Sequence, residues 1–144
     1  MRPAVALLAL LAALAAGLWA LFDATDMTVD RTYATLADAR ANGGAVAHGW
    51  LPDLLLASSY DIRTINDLDH GGSQGHFCFN PEDAPVLLRN FRSGVPDTSR
   101  YANWKDLVAK ERHEGKTLLR HQAGGDTWVF FCDLAKGRCE YLMW

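Results

Sequence analysis

Two carboxylates and two imidazoles crowd into one short stretch of this chain. Asn66-Asp67-Leu68-Asp69-His70 is followed by His76, six residues beyond His70. If Asp69, His70 and His76 converge at one end of a hairpin, their oxygen and imidazole donors suit a metal ion, and Asp67, Asp69 and His70 would then be the core of a small metal-dependent hydrolase. The plainer chemistry is that Asn and Asp side chains close turns, with His70 solvated at the tip. The spacing matches no metal-ligand motif, so neither a metal nor another cofactor is expected.

Nucleophilic chemistry has weaker support. Ser58, Ser59 and Cys78 each need a positioned base and an oxyanion hole, and no G-x-S-x-G or H-E-x-x-H stands in the sequence. Cys78 lies between Phe77 and Phe79, which suits a packed thiol better than an attacking one. No catalytic residue is assigned. The glycine pairs lack the strand and helix that flank a phosphate loop and read as turn formers.

The other two cysteines point to a covalent link. If Asp133 and Arg138 flank a four-residue hairpin loop, Cys132 and Cys139 become the next cross-strand pair. Directly opposed Cβ atoms approach closely enough for a disulfide, which an oxidising compartment favours. Cys78 is then left over as a free thiol. A zinc site built on Cys132 and Cys139 would need a second pair of ligands at matching spacing.

These residues must be placed by a small set of elements. Asp30 can cap a helix that runs to about Asn42, where Gly43 and Gly44 stop it. Residues 45–56 contain Gly49-Trp50-Leu51-Pro52 and read as an extended segment laid on the core. Residues 60–68 and 73–79 form a hairpin around Asp69-His70-Gly71-Gly72. With Asp83 as N-cap, a helix is expected to Phe91; Asn103 and Asp106 resemble a capping box for another, to about His113. Residues 116–122, 127–133 and 138–143 are separated by turn sequences and read as a three-stranded meander. The expected class is therefore α+β: an antiparallel sheet of about five strands packed against two or three helices, preceded by one N-terminal transmembrane helix.

That N-terminal helix comes from residues 4–22, a run of 19 with no charge and no Pro, about 28 Å long as a helix. It is longer than the apolar region of a cleavable signal peptide, and it ends in Trp19, Leu21 and Phe22, which suit a membrane interface. An uncleaved anchor is expected, with a removed signal peptide as the alternative. Arg2 precedes the run while Asp23, Asp26 and Asp30 follow it, so the positive-inside rule exports the rest. The organisation reads as an anchor over 1–22, a tether over 23–29 and a single exported α+β domain over 30–144. In a bacterium this is a single-pass inner-membrane protein whose domain faces the periplasm.

After residue 22 the chain carries 13 basic and 17 acidic side chains, a net −4. That balance excludes the basic footprint of a nucleic-acid binder. The 49% hydrophobic and 22% charged composition is that of a folded domain.

Three segments carry a resemblance. Gly49-Trp50-Leu51-Pro52, Ser58-Ser59-Tyr60-Asp61-Ile62-Arg63 and Asn66-Asp67-Leu68-Asp69, followed by Phe77 and Phe79, resemble a group of small bacterial membrane-associated or exported proteins of unknown function. In that group a W-[IL]-P segment precedes S-[AS]-x-x-I, an acidic D-[LI]-D step and a strand; Ala57 and Ser59 stand here where Pro and Ala are usual. The resemblance implies an exported α+β domain and brings no activity with it.

The resulting expectation is a non-enzymatic, membrane-anchored binding or envelope-associated module, with the membrane and a periplasmic protein as partners. The rival readings are an inhibitor of an exported toxin and the metal-dependent hydrolase above. Trp50, Arg63, Asp67, Asp69 and His70 form the expected binding patch, provided the extended segment packs beside the first hairpin.

Overall fold

The computed structural model describes residues 27–144. The expected anchor over 1–22 lies outside the described residues. Among the described residues no helix is long and apolar enough to cross a membrane.

One antiparallel sheet of seven strands organises these residues. The strands are β1 (Thr28–Thr35), β2 (Tyr60–Asp67), β3 (Gly72–Cys78), β4 (Arg92–Ser93), β5 (Thr117–Ala123), β6 (Asp126–Asp133) and β7 (Arg138–Met143). Their order across the sheet is β1-β2-β3-β7-β6-β5-β4. The last strand thus inserts beside the first hairpin, and Phe77 pairs with Cys139 at the seam. Three short helices complete the described fold: α1 (Leu36–Arg40), α2 (Ala84–Asn90) and α3 (Trp104–His113).

The α+β expectation of about five strands under two or three helices is thereby corrected: the fold is mostly β. The largest difference is at the start. Residues expected to open a helix at Asp30 form β1, paired along its length with β2. Val29, Thr32, Tyr33 and Thr35 are β-branched or aromatic, and such side chains lose rotamer freedom in a helix. The helix begins only at Leu36, where Thr35 and Asp38 make a capping box. The second addition, β4, is two residues long and exists through its pairing with β5. The helices also lie on both faces of the sheet.

Cap details differ as well. Asp83 makes no side-chain cap bond; Asn80 caps a preceding 3-10 turn, Pro81–Asp83, and Asp83 accepts a 2.6 Å hydrogen bond from Ser58 Oγ. Asn103 stands before α3 in a left-handed conformation without a capping bond. The first hairpin, the three-stranded meander and the disulfide agree with expectation. Cys132 and Cys139 are directly opposed on β6 and β7, with Cα atoms 4.1 Å apart, and are bonded.

Side-chain alternation separates two cores. On the first face, Phe77, Phe130, Tyr141 and the disulfide pack under α1, the 41–59 segment and α2, which contribute Leu36, Leu51, Leu55, Leu87 and Phe91. On the second face, Trp104 and Val108 of α3 cover Leu118, Val129 and Phe131 of β5 and β6. The cover on the first face spans the sheet; α3 reaches only its C-terminal half.

Candidate functional site

Strand register defines what the uncovered half presents. Asp30, Ile65, Gln74 and Leu142 lie in one row across β1, β2, β3 and β7. Thr32, Arg63, His76 and Glu140 form the next. Leu107 and Glu111 of α3 wall one side, and together these elements enclose an open groove of about 310 Å³. A second hollow of about 270 Å³ shares Ile65 and Gln74 and reaches Asp67, Arg100 and Tyr101. The strip therefore runs along β2 and β3 from α3 to the loop before it.

Arg63, Glu111 and Glu140 of this strip are ion-paired, while Arg138, which also lines the groove, makes no ion pair among the described residues. Arg63 donates Nε and Nη2 to the two carboxylate oxygens of Asp30, at 3.1 and 2.6 Å. The hydrogen bond holds the Asp30 carboxyl below its usual value and the Arg63 guanidinium above its own. Lys116 Nζ lies 2.6 Å from buried Glu111 and 3.1 Å from Glu140. Burial pulls the Lys116 ammonium down, but its bonds to both carboxylates outweigh that and keep it raised.

At the far end β2 carries a bulge between Tyr60 and Arg63, where Asp61 takes φ +46°. Left-handed backbone is uncommon outside glycine, and bulges re-aim side chains. Here Asp61 Oδ2 comes to 3.6 Å from His76 Nε2 and 3.9 Å from Cys78 Sγ. Burial, with Asp61 second, pushes the Cys78 thiol up, so the thiolate a nucleophile needs is disfavoured. Among the described residues no group of three or more His, Cys, Asp or Glu is placed to hold a metal ion. Ser59 is buried with its hydroxyl unpartnered, and no base addresses it.

The structure separates the expected patch into two parts. Arg63 and Asp67 line the uncovered strip. Asp67 also closes the hairpin turn: its Oδ1 accepts from the Asp69 and His70 N–H groups, and Oδ2 lies 2.8 Å from His70 Nδ1. Asp69 accepts from the Met27 N–H, and the His70 carbonyl accepts from Arg100 Nη1. Trp50 is half-buried against the first-face core, stacked on His48, and its carbonyl accepts from Trp128 Nε1. It stands on the face opposite Arg63.

Residues 28–78 match the family model of the YbbD head domain. That span is β1 through β3 with α1 and the 41–59 segment, about a third of the chain. The chain matches no curated protein and no solved structure. The YbbD-head-like part supplies Arg63, Ile65, Gln74 and His76 to the groove, together with Asp30 that pairs Arg63; β6, β7 and α3 lie outside it. A buried polar chain joins the two parts. Asn66 Nδ2 donates to the Val29 carbonyl and Thr64 Oγ1, Asn66 Oδ1 accepts from Ser73 Oγ, and Ser73 bonds Tyr141 OH of β7 at 2.9 Å.

Ile65, Gln74 and Leu107 were not singled out as site residues from the sequence, and His76 was considered there only as a metal donor. Alternation along β2 put Arg63, Ile65 and Asp67 on one face, a signal that was present. Which face the helices leave uncovered is set by tertiary packing and had no local signal.

Proposed function

We propose that this chain is a membrane-anchored, exported, non-enzymatic module that binds an extended segment of a periplasmic protein along the uncovered strip of β2, β3 and β7. The observation that carries this reading is the half-covered second face: apolar Ile65 and Leu142 lie between ion-paired rims in a groove open along its length. Small-molecule sites enclose most of their ligand, whereas protein interfaces combine an apolar centre with a polar rim. Export is supported by the apolar run 4–22 with acidic residues after it, by the buried Cys132–Cys139 disulfide and by the resemblance to small exported bacterial proteins.

The tether adds a geometric argument. Five residues lie between Phe22 and Thr28, six Cα–Cα steps with a reach of at most about 22 Å. Thr28 pairs with Asp67 at the turn end of the hairpin, so a spanning anchor holds that end of the strip close to the bilayer. A partner that is itself at the membrane fits this arrangement.

A photo-crosslinking residue placed at Gln74 of the full chain in its native membrane tests the reading. One at Gln122, on the far edge of the sheet, serves as comparison. A discrete adduct from position 74 and none from 122 supports the strip; equal labelling from both positions refutes it.

A further inference from the structure

The sheet edge farthest from β1 sets two arginines face to face. Arg92 of β4 is the register partner of Arg120 of β5. Directly opposed residues of antiparallel strands project to the same face, and like charges so placed repel. Arg40 and Arg63, by contrast, are ion-paired with Asp53 and Asp30. Neither Arg92 nor Arg120 has a carboxylate partner among the described residues. Arg120 is half-buried, and its Nε is fully buried without a hydrogen-bond acceptor. A buried donor left unsatisfied is costly, and the protein supplies no acceptor for the buried Arg120 Nε–H.

The two side chains line a pocket of about 390 Å³ with Leu54, Asn90, His121 and Gln122, none of them acidic. The pocket sits at a step in the sheet: β4 is two residues long and β5 continues past it to Ala123. Its inner wall is fixed. The His121 ring lies 6.0 Å from Phe91 and 5.5 Å from Trp128, and Asn90 donates to the Leu54 carbonyl.

We propose that this pocket is an oxyanion site that takes a phosphate group between Arg92 and Arg120. Guanidinium presents paired N–H donors that match phosphate oxygens. Two cations match a dianion, whereas one carboxylate neutralises only one of them. The pocket exceeds the volume of a bare phosphate, so the group can belong to a soluble phosphate ester or to a lipid headgroup, and the two sources share the same recognition chemistry.

The test is an NMR titration of the full chain in uncharged detergent at constant ionic strength, following the arginine Nε–H signals. The first probe is inorganic phosphate and the second is monomeric dihexanoyl phosphatidic acid, a lipid phosphomonoester. Saturable shifts at Arg92 and Arg120 are expected, weakened about tenfold or more in Arg92→Ala and Arg120→Gln and unchanged in Arg112→Ala, an exposed arginine of α3. Binding of either probe in this pattern supports the site, and the tighter probe identifies the source. Shifts that do not saturate, or that persist in both variants, overturn it. Arg92 is exposed, so Arg92→Ala keeps the test valid if Arg120→Gln fails to fold.

Discussion

Cys132 and Cys139 face each other across β6 and β7, buried on the first face and joined by the disulfide. A loop with a sequence separation of 7 limits the entropic worth of the bridge to about 2–3 kcal/mol. The double substitution to Ala is expected to lower the urea-unfolding free energy by that amount. Mass spectrometry without reduction is expected to show one linked pair and one alkylatable thiol, Cys78.

That bridge was legible because both strands and their turn have strong local signals, and register then follows from loop length. The first hairpin was legible for the same reason. β1 was not: Asp30 is an acceptable helix cap, and only pairing with β2 shows that Thr32 and Tyr33 complete an edge strand. Arg63 and Asp67 were placed correctly on one hairpin, but Trp50 was not their neighbour. Sequence distance does not say which face of a sheet a loop crosses, and the 41–59 segment crosses the first.

The polar chain from Asn66 to Tyr141 is a second point of vulnerability. Ser73→Ala removes the group that bonds both Asn66 Oδ1 and Tyr141 OH. A loss of about 1–3 kcal/mol is expected, since buried acceptors are left unpaired. Tyr141→Phe costs less, about 0.5–1.5 kcal/mol, and the two changes together are expected to be non-additive. Thermal or urea unfolding of the three variants measures the coupling.

Gly75 allows β3 to lie close against β2 and Tyr141. A Cβ there would collide with the Arg63 carbonyl and press on the Tyr141 ring. Gly75→Ala is expected to destabilise by about 1–3 kcal/mol, with shifts in the amide spectrum confined to β2, β3 and β7.

Acid is expected to loosen the hairpin turn. Burial tends to raise the Asp67 carboxyl, but hydrogen bonds from His70 and Asp69 outweigh it and hold the folded value below the ordinary one. The turn's contribution is therefore present above about pH 4 and is lost as pH falls through the lowered folded value. The amide signals of Asp69 and His70 report this directly, and Asp67→Asn is expected to abolish their titration.

Ile65 lies at the middle of the uncovered strip, in both hollows. The most direct measurement is recovery of the partner crosslinked at Gln74, using full chain carrying Ile65→Glu. Leu54→Glu, an exposed change on the first-face side, is the control. With folded yield equal across the set, recovery is expected to fall about tenfold or more for Ile65→Glu and to stay unchanged for Leu54→Glu. Undiminished recovery with Ile65→Glu would contradict binding along the strip.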